Sequence, residues 1–184
     1  MPTLNDILIL LPEFYLVAAA CLLLLLDAFM KPAQRPLLHW LSIAVLLVAI
    51  YLVIAGQPTE ARSAFGGMFL RDDVAEILKV FALATTALVF VYARPYLIDR
   101  KLLGGEFYTL MIFAVIGIML LVSAGNLVTI YLGLELLSLS SYALVALNRD
   151  AKLPPEAAIK YFVLGALASG MLLYGMSMVY GASG

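Results

Sequence analysis

The sequence predicts an all-α polytopic membrane protein with six transmembrane helices and both chain ends on the side opposite the cytoplasm. Three observations predict this. Of the 184 residues, 65% are hydrophobic and only 12% charged, against roughly half and a quarter in a typical soluble domain. The mean hydropathy is +1.07. Six runs are long and apolar enough to span a bilayer, at 12–30, 37–55, 74–93, 107–123, 126–147 and 156–180, since a spanning helix needs about 20 mostly apolar residues. None of the runs alternates with period two, so helices are expected and a barrel is not. The composition excludes a soluble globular fold and a disordered chain. A net charge of −1 gives no bulk attraction to nucleic acid. One cysteine, Cys21, excludes an internal disulfide framework, and one histidine, His39, excludes a His-rich metal site.

The segments between the runs support each element in turn. The first run follows Asp6 with no Lys or Arg before it, has a long apolar core and is not followed by a small-residue cleavage site. It is expected to stay as a helix and not to be removed as a signal peptide. Lys31-Pro32-Ala33-Gln34-Arg35-Pro36 separates runs one and two, because proline lacks an N–H and crowds the preceding turn. Gly56-Gln57-Pro58 ends the second run, and Gly66-Gly67 lies in the loop that follows. Gly104-Gly105 precedes the fourth helix, with Glu106 at its positive end. Ser123-Ala124-Gly125-Asn126 is so short a turn that helices four and five must be antiparallel neighbours. Pro154-Pro155-Glu156 opens the sixth helix, where proline is tolerated in the first turn.

Counting Lys and Arg by side orients the chain. Loops one, three and five hold seven (Lys31, Arg35, Arg94, Arg100, Lys101, Arg149 and Lys152), and the opposite side holds two, Arg62 and Arg71. Loops one, three and five are therefore expected in the cytoplasm.

Glu135 is the most informative residue. It lies about 2 Å from the centre of the fifth run, where a carboxylate costs about 2.5–3.5 kcal/mol even on the lenient insertion scales. Tyr131, Ser138 and Tyr142 fall within about 60° of it on one helix face, a hydroxyl stripe about 16 Å long. Such a stripe can hold water beside a titratable group, as a proton path requires. The alternative is a buried glutamate satisfied by neighbouring helices for packing alone. Lys160 lies one turn into the sixth run; it either snorkels to the cytoplasmic surface beside Glu156 or acts as a cation that tunes Glu135. At about 10 Å and an effective dielectric near 20, that influence is about 1.7 kcal/mol.

Glu76 and Lys79, spaced i,i+3, are expected as an interfacial ion pair contributing a few tenths of a kcal/mol. Asp27 and Lys31 are expected as a surface pair, and Glu13 after Pro12 as a helix-start anion. His39 beside Trp40 is expected at the interface. In the sixth run, Ala158, Gly165 and Ser169 form a small-residue face, about 160° around from Lys160, that lets a neighbouring backbone approach. This face is expected to serve packing and not chemistry. There is no G-x-G-x-x-G after a strand, no Walker loop and no cysteine cluster. Bound NAD, flavin, ATP, haem, iron–sulfur and metal are not expected in this chain, and protease chemistry is not expected either.

Four segments resemble subunit N of bacterial NADH-quinone oxidoreductase (respiratory complex I), of the antiporter-like proton-channel family. They are LLPE at 10–13, EFYTLMIF at 106–113, NLVTIYLGLELLSLSSYALVAL at 126–147 and EAAIKYFVLGALASG at 156–170. The GLELLSL segment followed by EAAIKYF is the specific part, because both the acidic and the basic intramembrane positions match. Residues 14–105 match mainly in hydropathy and spacing. The resemblance implies that Glu135 is the essential glutamate of the fifth helix, that Lys160 is a functional lysine of the sixth, and that Glu13 is an early acidic position of less certain role. It also implies a division into 1–105, the first three helices, and 106–184, the start of a channel domain. It places the chain in the bacterial inner membrane with periplasmic termini. NADH, flavin, iron–sulfur clusters and quinone are implied in other subunits, and the other membrane subunits are implied as partners. The family's subunit has many more helices than six, including inverted repeats with broken helices. The remaining helices are therefore expected in a longer chain or a partner chain. Two other readings stay open: a component of a cation/proton antiporter, and a membrane scaffold without chemistry.

Overall fold

The computed structural model describes residues 4–30, 35–56, 62–100, 102, 104–147 and 154–183. All six expected spans are helices long and apolar enough to cross a membrane. A short α1 (Leu4–Ile9) precedes α2 (Leu11–Phe29), α3 (Arg35–Ala55), α4 (Asp73–Asp99), α5 (Gly105–Val122), α6 (Leu127–Val145) and α7 (Pro154–Ser183). Side-chain caps fix two starts: Asp72 Oδ1 accepts from Ala75 N (2.8 Å) and Asn126 Oδ1 from Thr129 N (2.8 Å), each stabilising by about 1 kcal/mol.

The third span runs past its expected end at 93, through Pro95 to Asp99. Proline forfeits one backbone hydrogen bond, but Leu97 beyond it is 3% exposed and belongs to the core, and that burial holds the last turn helical. Between α3 and α4 the expected loop contains a hairpin, β1 (Arg62–Ala64) antiparallel to β2 (Phe69–Arg71). Its turn takes positive φ at Phe65, Gly66 and Gly67. The hairpin docks on the α5–α6 turn: Leu70 N donates to Ser123 O (2.7 Å) and Gly125 N to Met68 O (2.9 Å). Both connections thus lie at one end of the molecule, the end the charge count assigns to the side away from the cytoplasm.

The packing divides into two parts. Helices α2, α3, α4 and α5 form a ring of neighbours, while α6 packs on α5 and α7 on α6. The core, which includes Leu16, Ala20, Leu46, Leu83, Phe90, Ile112 and Met119, belongs to the ring of four. At the α5–α6 crossing a Cβ on Gly117 would lie 2.7 Å from Gly133 O, and one on Gly133 would lie 2.9 Å from Gly117 O. Only glycine allows that approach. Half of the α5 span is buried, but only 17% of α6 and 6% of α7.

The small-residue face of α7 is the face that meets α6. Ala158 and Ser169 are 8% and 6% exposed, and a Cβ on Gly165 would overlap the Tyr142 hydroxyl. Because Lys160 lies on the other side of the helix, this packing turns it away from α6.

Candidate functional site

Glu135 sits on α6, half-buried where α7 crosses. Tyr131 Oη donates to Glu135 Oε1 (3.1 Å), and Ser169 Oγ of α7 donates to Oε2 (3.3 Å). Each carboxylate oxygen therefore has one hydroxyl, and neither has a cation among the described residues. Tyr131 lies one turn before Glu135, as helical periodicity requires. Ser169 corrects the expectation that the small face of the sixth span serves packing only. It combines a small volume with a hydroxyl, so it lets the helices close and also supplies a donor.

The rest of the expected stripe is not gathered on the carboxylate. Tyr142 is 9% exposed and packs edge-on against Tyr161 and Phe162 of α7, with centroids 4.9 and 5.7 Å apart. Ser138 is half-buried on α6 and makes no hydrogen bond to Glu135. A cleft of about 210 Å³ borders the site on the Tyr131 side, lined by Leu127, Val128, Leu173, Met176, Ser177 and Tyr180. Its walls are mostly apolar, so in this chain the hydroxyls of Tyr131 and Ser169 are the polar groups at the carboxylate.

Lys160 is 70% exposed and pairs with Glu156 on its own helix. The pairing with Glu156 weighed from sequence is therefore present. Nine residues separate it from Ser169, which is about 13 Å along the axis, so Lys160 and Glu135 are not in contact.

A second polar site lies at the hairpin end of the ring of four, and here two expectations are corrected. Glu76 and Lys79 form the expected i,i+3 pair near the start of α4, but they are shielded from solvent, at 0% and 1% exposed, and not a surface pair of a few tenths of a kcal/mol. Arg71 of β2 grips Glu76 with Nε to Oε1 (2.9 Å) and Nη2 to Oε2 (3.0 Å). It also donates to Ile9 O (3.3 Å) and Val53 O (3.4 Å), carbonyls in the last turns of α1 and α3, where a cation is favoured. Lys79 Nζ donates to Glu76 Oε1 (3.4 Å) and lies 4.7 Å from the centroid of the Phe69 ring. Glu13 is not a solvent-facing helix start. It is 4% exposed, with Lys79 Nζ 3.0 Å from its Oε1. That contact is an ion pair without hydrogen-bond geometry, and neither oxygen of Glu13 has a hydrogen-bond partner. The four charges, Glu13, Arg71, Glu76 and Lys79, sum to zero. The physical reason for both corrections is the hairpin, which packs on α1 and the start of α4 and brings Arg71 inward.

His39, near the start of α3 beside Trp40, is buried at 2% exposed. It shares a hydrogen bond with Tyr108 Oη (3.1 Å) and meets the exposed Trp40 edge-on. The Asp27–Lys31 pair cannot be placed, because Lys31 lies outside the described residues. No group of three or more His, Cys, Asp or Glu able to hold a metal occurs among the described residues.

Comparisons with known proteins cover nearly the whole chain. Residues 3–93 match the family described as NAD(P)H-quinone oxidoreductase subunit 2 N-terminal, and residues 124–184 match NADH:quinone oxidoreductase/Mrp antiporter, TM. The chain is 51% identical over 174 residues to NADH-quinone oxidoreductase subunit N of Thiobacillus denitrificans, covering 95% of this chain and 36% of that protein. It is 50% identical over 173 residues to the subunit N of Nitrosomonas europaea, covering 94% and 36%. A chain of respiratory complex I from Thermus thermophilus with bound aureothin is similar in fold, with a TM-score of 0.74 at 29% identity, covering 94% of this chain and 37% of that one. The chain thus spans a little over a third of the length of the curated relatives it matches. Both matched segments and the half of its residues shared with several relatives make the chain similar, over nearly its whole length, to the N-terminal third of NADH-quinone oxidoreductase subunit N.

Proposed function

We propose that this chain forms part of a proton-translocation path in a proton-pumping NADH-quinone oxidoreductase, with Glu135 as the group that takes up and releases the proton. The observation that carries the reading is the carboxyl itself: it lies deep in a spanning helix and is held by the hydroxyls of Tyr131 and Ser169. Hydroxyls can donate to a carboxylate and, by rotating, accept from a carboxylic acid, so both protonation states of Glu135 keep their partners. A fixed cation in the same place would favour only one state.

Lys160 takes a weaker part. Across about 13 Å at an effective dielectric near 20 its influence is about 1.2 kcal/mol, and the adjacent Glu156 offsets much of that. It is a positioning charge that biases Glu135 through the field. Tyr142 and Ser138 shape the α6–α7 contact. In this reading loops one, three and five face the cytoplasm and the termini face the periplasm of a bacterial inner membrane, which the seven-to-two distribution of Lys and Arg supports. NADH, flavin, iron–sulfur clusters and quinone belong to other subunits, and quinone reduction there drives the proton transfer. The exposed outer faces of α6 and α7 are where the rest of the subunit and neighbouring membrane subunits would pack. Division of the chain near 105 is supported by the two family matches, which flank α5.

The test is Glu135→Gln in the full-length subunit within the assembled complex, reconstituted in vesicles. Proton pumping is expected to fall at least tenfold with subunit abundance unchanged; undiminished pumping rejects the assignment. The antiporter reading is favoured by the wording of one family match. It predicts co-purification with other antiporter chains in place of subunits carrying flavin and iron–sulfur centres.

A further inference from the structure

The ion cluster at the hairpin end is uneven. Glu76 receives two hydrogen bonds from Arg71 and one from Lys79, so both of its oxygens are satisfied by cations. Glu13 is equally buried yet has one ion-pair contact and no hydrogen bond on either oxygen. Lys79 lies between the two carboxylates, 3.0 Å from Glu13 and 3.4 Å from Glu76, and its ammonium keeps the Phe69 ring whichever carboxylate it favours. When one of two buried carboxylates shares its cation with a better-held neighbour, the less well held one is the one whose protonation gives up the fewest contacts, here a single ion pair.

We propose that Glu13 is a second proton-binding site of the subunit, whose carboxylate takes up a proton as Lys79 shifts from Glu13 toward Glu76. An O–H bond forms on Glu13, the Glu13–Lys79 ion pair breaks, and the cluster passes from net zero to one positive charge. Release of the proton reverses each change. Arg71, anchored by the carbonyls of Ile9 and Val53, holds Glu76 ionised throughout and so acts as a positioning residue.

The charged and titratable surroundings of Glu13 are limited. From α4 come Glu76 and Lys79, and from β2 comes Arg71. Asp6 of α1 accepts a hydrogen bond from Phe65 N of the hairpin turn (3.3 Å). The other two neighbours of α2 bring no charged side chain to this end among the described residues, because His39 of α3 and Glu106 of α5 lie at the opposite end of the bundle. The site is thus separate from Glu135, with α5 between α2 and the α6–α7 pair. The proposal rests on reading the chain as part of a proton-translocating subunit.

An apolar carbodiimide tests it on the unmodified complex. The reagent adds across the O–H of a protonated carboxyl and leaves a stable N-acylurea, which peptide mass spectrometry locates. Glu13 is expected to be modified, with a yield that falls at least fivefold as pH rises across its titration, and Glu76 is expected to stay unmodified. Absence of modification at Glu13, or equal modification of Glu76, overturns the proposal. Separately, Glu13→Gln in the assembled complex should lower pumping at least fivefold with complex abundance and NADH oxidation by a water-soluble acceptor unchanged; undiminished pumping overturns it. Glu135→Gln run in parallel separates the two readings. If only Glu13→Gln impairs pumping, the Glu135 assignment fails and this one stands; if only Glu135→Gln does, the reverse holds.

Discussion

The molecule handles buried charge in two ways. In the ring α2–α5, Glu13, Arg71, Glu76 and Lys79 are sealed from the surface and oppose one another ion to ion. On the α6–α7 pair, Glu135 is half-buried and, among the described residues, meets the hydroxyls of Tyr131 and Ser169. A buried ion network is costly to break because each survivor is left with an uncompensated charge. A carboxyl solvated by hydroxyls can change protonation with little change in its surroundings. The difference teaches that depth in the membrane does not by itself set what a buried carboxyl can do; its partners do, two cations on Glu76, one shared ammonium on Glu13 and hydroxyls on Glu135.

Breaking each arrangement should have different consequences. The largest effect is expected from Glu76→Ala, which strands Arg71 and leaves Lys79 with Glu13 alone, and should destabilise the subunit by about 3–5 kcal/mol. This would be read as a large loss of full-length subunit from assembled complexes and a lowered thermal midpoint. Glu135→Ala should leave that midpoint within about 1 kcal/mol equivalent while removing pumping. If the two substitutions destabilise equally, the contrast is false. Gly133→Val should cost at least about 1–3 kcal/mol by overpacking, because a Cβ there would lie 2.9 Å from both Gly117 O and Leu121 N; its signature is loss of stability and pumping together. Tyr131→Phe removes one hydrogen bond from Glu135 and should lower the pumping rate about fivefold, the equivalent of about 1 kcal/mol. Its effect on the thermal midpoint should be small. Lys160→Met is the mildest, since an exposed i,i+4 pair contributes about 0.3–0.5 kcal/mol; pumping should change less than about threefold through a field of no more than 1.2 kcal/mol. A loss as large as that of Glu135→Gln would move Lys160 into the site itself.

The six spans were legible because each is a run of apolar residues of bilayer length, and that signal survives any tertiary arrangement. Glu135 was legible for the same reason, as a charge where none is expected. Ser169 was not, because a serine among Ala158 and Gly165 has the same small size that helix packing selects, and only the crossing of α7 over α6 tells which role dominates. The ion cluster was only partly legible. Glu76 and Lys79 announce a pair by spacing, but Glu13 and Arg71 reach them from α2 and β2, and pairing across such sequence separations has no local signature. One cue was available: Lys79 stands between Leu78 and Val80-Phe81, one and a half turns into its helix, a position too apolar for an interfacial side chain. The hairpin was invisible because three-residue strands are too short to show alternation. Continuation of α4 through Pro95 depended on burial of Leu97, which propensity does not reveal.

The touching backbones of α5 and α6 have a mechanical consequence. With Gly117 against Gly133 there is no side-chain cushion to absorb sliding, so the two helices move as one stiff plate. One edge of that plate carries Glu135 and the other leans on the bundle that encloses Glu13. The same plate thus borders both carboxyls, Glu135 on α6 and, through the α2–α5 contact, the bundle around Glu13.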